Sequence, residues 1–359
     1  MRFVSPILKR VVYPALSSAK FLKSKSEAPM VLTYHGVLPA RYTPLDPDLD
    51  GVMVGANVFR KQLCFLKKNY ALISPEHFRE WIAGEAEMPA RAVLLTCDDG
   101  LKNVLDEMVP VLREFDAPCL CFVMGQQPSR KNAILWYDEL RLMVLSAAGP
   151  INLAIPEISL CAGAHTVEER RKIDLLLLRK LSSWDAARRE QLLDNIRRQL
   201  GLPEEWLETR MQSKAFCSRF ALMEQTEMLQ LLHAGVCFGA HTLAHPMLSQ
   251  LPDELAWKEI FEARTSLEHS LGTRIWALAY PFGTGEAVTA REIEMGKRAG
   301  YEAAFLNVPG DLNRQNAFSL PRIHVSGGMA LPEFEAHLCG FHYRLREYFK
   351  GGMRAAAVL

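Results

Sequence analysis

The stretch "RAVLLTCDDG" (residues 91–100) leads into "LKNVLDEMVPVLREFD" and then "APCLCFVMG". The outer two are short apolar runs. The middle one sets Leu101, Val104, Leu105, Met108, Val109 and Leu112 at helical intervals. A strand, a helix and a strand in that order require parallel strands, because the helix carries the chain back to the edge where it started. The same alternation resumes with helix "MEQTEMLQLLHAG", strand "VCFGAHT", helix "PDELAWKEIFEARTSLEHSLG", strand "IWALAYPFG", helix "AREIEMGKRAG", and strands "YEAAFLNV" and "FSLPRIHV". With the opening strand "APMVLTYHGV" and its following surface helix "ANVFRKQLCFLKKNY", the strands number seven. The expected fold is α/β, a distorted (β/α)7-type barrel.

Between the two halves, residues 126–215 carry helical patterns such as "ILWYDELRLMVLSAAG" and "VEERRKIDLLLLRKL", read as a helical insertion on a barrel loop. The chain therefore divides into a basic N-terminal segment (1–27), a barrel (28–330) with its insertion at 126–215, and a C-terminal helix and tail (331–359). At 359 residues and 49% hydrophobic content there is ample core for a domain of this size. Forty-two basic against 41 acidic residues leave a formal charge of +1, which points away from nucleic acid as a partner.

The eight cysteines form no CxxC pair, and several sit in apolar runs as small core residues. A thiol-rich interior fits a reducing compartment, so the expected location is cytoplasmic. The first 25 residues hold Arg2, Lys9, Arg10, Lys20, Lys23 and Lys25 and no acid. No apolar run there can span a bilayer. A basic, partly amphipathic segment can lie on the anionic inner face of a membrane, or it can be a loosely ordered start.

In α/β barrels the loops at the strands' C-terminal ends carry function. Asp98 and Asp99 stand at such an end, and so do His35, His241, Pro281 and His324. Adjacent carboxylates repel and lose solvation when buried, so a metal, an arginine or open water must compensate them. "FGAHTLAHPML" offers His241 and His245, four apart at the end of a strand. Two imidazoles at that spacing can share one cation, and the acidic pair can supply a third ligand. Two histidines and a carboxylate leave positions open for water and substrate, as in a catalytic metal site. The glutamate of HExxH is missing, which disfavours a zincin-type protease.

In their order and spacing, "LLTCDDG", "FGAHTLAHPML" and "AYPFG" resemble the motifs of the polysaccharide deacetylase family, carbohydrate esterase family 4, from about residue 28 to residue 326. The resemblance implies that Asp99 joins His241 and His245 on a divalent metal, taken as zinc, while Asp98 serves as base toward the attacking water. It also implies that the backbone N–H of Phe282 stabilises the oxyanion. Tyr280 and His35 are grouped with Phe282 as substrate contacts. Tyr34, Trp136 and Tyr137 could stack on sugar rings, though such aromatics equally suit a core.

One departure stands out. Ala279 occupies the place where the family's third motif carries the arginine that orients the aspartate. Arg322, on the last strand, is the expected substitute if the barrel closes, with His324 two residues on as general acid and His35 next in line. The expected activity is removal of N-acetyl groups from an amino-sugar glycan, an exopolysaccharide or its lipid-linked precursor. The alternatives are a deformylase or deacetylase of a lipid-linked sugar, and a non-catalytic glycan-binding barrel.

Overall fold

Seven strands carry the barrel: β1 Met30–Tyr34, β2 Ala92–Cys97, β3 Cys119–Val123, β4 Cys237–Ala240, β5 Ala277–Ala279, β6 Ala303–Phe305 and β7 Ile323–His324. The computed structural model describes residues 6–18, 28–126 and 132–345. The strands lie in the order β6-β5-β4-β3-β2-β1-β7, all parallel, with a short strand at Ala71–Leu72 beside the start of β2. Covered on both faces, they are apolar almost throughout, and all six residues of β2 are buried.

The pleat sorts each strand. Val31, Leu94, Leu120, Phe122, Ala277, Ala279, Ala303 and Phe305 form the cluster that fills the barrel, and Phe78 of the helix Pro75–Ala83 joins it beside Phe305. Leu32, Tyr34, Val93, Leu95, Cys97, Cys119 and Cys121 belong to the larger cluster beneath the outer helices. All eight cysteines are free. Cys97, Cys119 and Cys121 are core residues as expected, whereas Cys64 and Cys161 lie at the surface.

The last strand closes the ring. Leu320 exchanges backbone hydrogen bonds with β6, its N–H reaching Ala304 O at 2.9 Å and its carbonyl accepting from Leu306 N at 2.8 Å. Further on, Arg322 N donates to Val308 O, and Val325 N to Thr33 O on β1. Pro321 has no N–H to offer, so regular strand pairing with β1 is confined to Ile323–His324.

Between β3 and β4 the chain is not wholly helical. Alongside the helices Trp136–Ser146, Val167–Leu181 and Ala186–Gln199, it contains an antiparallel hairpin, Ile151–Ile155 with Leu160–Ala164. The alternating burial of "INLAI" marks it as a strand with one face inward. This whole region has its own core, including Leu140, Met143, Ile155, Leu177, Leu192 and Phe220.

At the other end of the chain, residues 6–18 form a short helical segment docked on the helix Leu331–Leu338. Tyr13 is buried there, its hydroxyl within 2.8 Å of His342 Nδ1. Lys9 pairs with Glu333 at 3.0 Å and Ser17 donates to Glu335 at 2.9 Å. The remainder of the basic N-terminal segment and of the C-terminal tail lies outside the described residues. Among the described residues no helix is long and apolar enough to cross a membrane.

Candidate metal centre

Asp98 and Asp99 follow β2 directly, and the backbone there is unusual: Asp99 has φ 78° and Gly100 φ 68°. Two successive left-handed residues turn the chain sharply, and the second passes so close to β3 that a Cβ on Gly100 would come within 2.9 Å of Val123 Cγ1. The two carboxylates are thereby sent to different partners.

Asp98 meets Arg322 in a two-pronged ion pair, Oδ1 to Nη1 and Oδ2 to Nη2, both at 2.7 Å. The Arg322 fork also donates to Thr96 Oγ1 at 3.2 Å and, through Nε, to Leu306 O at 3.0 Å. Its guanidinium lies near the rings of Phe122 and Phe305 within the barrel. Burial alone would raise the Asp98 carboxyl, but Arg322, with His241 and His35, overrides it and holds the group below its ordinary value. Arg322 thus occupies the place beside Asp98 that Ala279 cannot fill.

Asp99 Oδ1 lies 3.5 Å from both His241 Nε2 and His245 Nε2, and the three residues form the cluster of ligand atoms found among the described residues. His241 donates through Nδ1 to Ala279 O at 2.7 Å, a bond that turns Nε2 toward Asp99; burial would lower this imidazole, but Asp99 and Asp98 raise it. His245 is pushed down to about 3 by burial and by the neighbouring His241, so it is neutral with its lone pairs available. Asp99 stays ionised despite burial, its carboxyl lowered chiefly by His241 and His35. A buried carboxylate converging with two imidazole nitrogens is a donor set that fits a divalent cation.

The turn that presents the histidines is held through most of its backbone groups. Thr242 (φ 62°) and His245 (φ 55°) are both left-handed without being glycine, a conformation that persists only where the surroundings fix it. Thr242 O accepts from Gly125 N and Leu243 O from Gln126 N, both at 2.9 Å. Glu259 accepts from Leu243 N at 3.0 Å and Ala244 N at 2.8 Å, and Thr242 Oγ1 from His245 N at 3.1 Å. The Ala244 carbonyl accepts from Arg189 Nη2 at 2.6 Å and the His245 carbonyl from Trp136 Nε1 at 3.1 Å.

Around this centre the other expected residues separate. Phe282, at φ 61°, stacks its ring edge-on to His245 at 5.3 Å, and Tyr137 approaches the same imidazole at 5.1 Å. Burial, followed by the charges of Asp99 and Asp138, raises the Tyr137 hydroxyl well above its ordinary value. His35 and His324 face each other at 5.0 Å, each with an Nδ1 that has no partner among the described residues. Burial and His35 push His324 down to about 3.

Tyr280, grouped on sequence with the substrate contacts, does not belong there. It is a core residue whose hydroxyl donates to Phe318 O at 3.3 Å and lies beside Gly296 in the helix layer. The pleat explains this, since Tyr280 points opposite to the inward Ala279. Tyr34 is likewise core, bonded to Gln62.

Glu259 and Arg189 were not singled out in the sequence, though a signal exists for both. Each interrupts an apolar stripe at helical spacing, Glu259 among Ala256, Ile260 and Ala263, and Arg189 before Leu192, Leu193 and Ile196. A charge on the buried stripe of a helix needs a partner inside.

Residues 208–304 match the family described as polysaccharide deacetylase. That span contains both histidines and "AYPFG" but not the aspartate pair. YxkH of Bacillus subtilis (strain 168), which carries the polysaccharide deacetylase name, is 23% identical over 117 residues; the match spans 32% of this chain and only 41% of that relative's length. Among solved structures, IcaB from Ammonifex degensii superposes with a TM-score of 0.55 at 18% identity, covering 88% of this chain and 98% of that one. The Streptococcus pyogenes deacetylase PplD, solved with acetate, gives 0.53 at 16% identity over 86% and 96%. At these identities the superpositions establish the shared barrel.

Proposed function

Since residues 208–304 match the polysaccharide deacetylase family and the chain has the barrel of IcaB, we propose that it is a metal-dependent hydrolase removing N-acetyl groups from an amino-sugar glycan. The observation that carries this reading is the juxtaposition of two differently served carboxylates, Asp99 with His241 and His245, and Asp98 with Arg322. Asp99, His241 and His245 would hold the ion, which we take as zinc, a metal that binds through one carboxylate and two imidazoles. When bound, such an ion supplies positive charge that polarises the acyl carbonyl and acidifies water in the site.

The chain's own groups do the rest. Asp98, kept ionised and fixed in orientation by the Arg322 fork, takes a proton from the attacking water. The Phe282 N–H, on its left-handed turn beside His245, donates to the oxygen that gains charge as the carbonyl becomes tetrahedral. The departing nitrogen needs a proton, because an amide anion is too basic to leave. The His35–His324 ring pair is assigned this step. Burial favours the neutral form of His324, so His35 is taken as the first candidate to be tested.

The test is release of acetate or formate from a panel of acylated glycans and lipid-linked sugars, with zinc-loaded and chelator-treated protein. Acetate release that requires the metal supports the reading, formate release favours the deformylase alternative, and no release from any member of the panel favours a binding protein.

A lipid-linked precursor as substrate, at the cytoplasmic face of the membrane, gains support from the N-terminal segment. Ile7 and Val11, four residues apart, are exposed beside Arg10, presenting apolar and basic groups together. Sedimentation with anionic against neutral vesicles tests this placement, and equal binding to both would count against it.

A further inference from the structure

The region between β3 and β4 supplies two of the hydrogen bonds on the histidine turn. They go to the Ala244 and His245 carbonyls, the acceptors in that turn that no barrel residue reaches. We propose that Arg189, acting with Trp136, is a positioning residue of the metal site, fixing the turn that aims His245 and making the insertion a working part of the metal centre. This rests on the reading of Asp99, His241 and His245 as metal ligands.

Arg189 is 2% exposed and sits at the head of the apolar stripe of the helix Ala186–Gln199. An aliphatic side chain there would fill the same stripe with no charge to desolvate, so the guanidinium is poorly explained by packing. Its contacts converge on one place, Ala244 O at 2.6 Å and the Trp136 ring at 4.9 Å, and the charges of Glu259 and Asp185 favour its ionised form against burial. Glu259 grips the Leu243 and Ala244 N–H groups, and Arg189 takes the carbonyl of the same Ala244. The peptide is thus held between a buried anion and a buried cation. Trp136 underlies Arg189 and at the same time fastens the next carbonyl, that of His245. Removing this clamp leaves buried acceptors unpaired in a turn whose Thr242 and His245 are already left-handed. The backbone then relaxes toward ordinary conformations, and the His245 ring moves with it.

Zinc affinity, read by competition with a chromophoric chelator, tests the clamp without reference to turnover. Arg189→Ala should weaken zinc binding about 10- to 100-fold, the range expected when support behind a ligand is lost. Trp136→Phe keeps the ring but not the N–H, and should weaken binding severalfold while the melting temperature of the metal-free protein barely changes. Arg189→Lys, which keeps the charge beside Glu259 without the fork, should fall between native and Arg189→Ala. Arg198→Ala, on the same helix but away from the turn, should bind zinc as the native protein does. If Arg189→Ala fails to fold, the lysine and phenylalanine variants decide the matter. Native-like zinc affinity in Arg189→Lys and Trp136→Phe, within about twofold, overturns the clamp. A native protein that does not compete for zinc at all overturns the metal reading beneath it.

Discussion

Arg322 and Asp98 form an ion pair with almost no solvent contact, and the arginine decides which state the aspartate occupies. Without it, burial would raise the carboxyl toward the neutral form. In Arg322→Ala the acid limb of the kcat/KM profile should therefore move up, with turnover falling at neutral pH. Arg322→Lys should show a smaller upward movement, because it keeps the charge and loses the fork. Asp98→Asn should hold zinc normally while losing on the order of 100-fold or more in kcat, since the base and not a ligand is removed; a variant with near-native kcat would refute the assignment. His35→Ala should slow an acetamide far more than an aryl acetate, whose leaving group needs no proton. If His324→Ala shows that selectivity and His35→Ala does not, the proton belongs to His324.

The carboxylate pair is placed by the turn after β2. Gly100→Ala would put a methyl against Val123 in a left-handed conformation, and should cost about 1–3 kcal/mol with a matching fall in denaturation midpoint. At this scale the sequence was legible where periodicity and strand ends speak. "RAVLLTCDDG" announces a buried strand with carboxylates at its tip, and "FGAHTLAHPML" sets two imidazoles at a usable spacing. Arg322 could be named because barrel closure is a geometric requirement of the fold. Tyr280 was misjudged because a residue next to a motif can face the opposite side of the pleat. The hairpin Ile151–Ile155 with Leu160–Ala164 was missed because two short alternating runs are easily lost among long helices. Glu259 and Arg189 went unnoticed since their partners are backbone groups, which a sequence does not display.

Across the whole molecule, acid should act on several buried imidazoles together. His324 and His337 are each depressed to about 3, chiefly by burial, and His337 stacks on His342 at 3.9 Å. Between that value and the ordinary 6.5 the unfolded chain binds more protons than the folded one, so stability is lost as pH falls through this window. Asp98 and Asp99, whose carboxyls are lowered, add a further loss only below the ordinary 3.8. Asp138, raised to about 6, and the likewise raised Glu259, Glu333 and His241 act in the opposite sense, so the ring's share is read by substitution: His337→Asn should lose less of its thermal midpoint between pH 7 and pH 4 than the native protein does, and an identical profile would contradict the burial of His337. Removing residues 1–18 strips Tyr13 from its seat against Ala336 and should lower the midpoint. It should leave kcat/KM on a soluble acetylated substrate within about twofold, because the docking site is a separate small cluster.

Closure of the ring by β7 also sets an order in time. Asp98 and the guanidinium that fixes it are 224 residues apart along the chain. At about 5–20 residues per second, a ribosome finishes the strand bearing Asp98 roughly 10–45 s before it makes Arg322. Until then the growing chain carries its aspartates at the mouth of an open, incomplete sheet, with no cation to keep the base ionised once buried. The proposed site is therefore completed in a single late event, when the final strand slots between the first and the sixth.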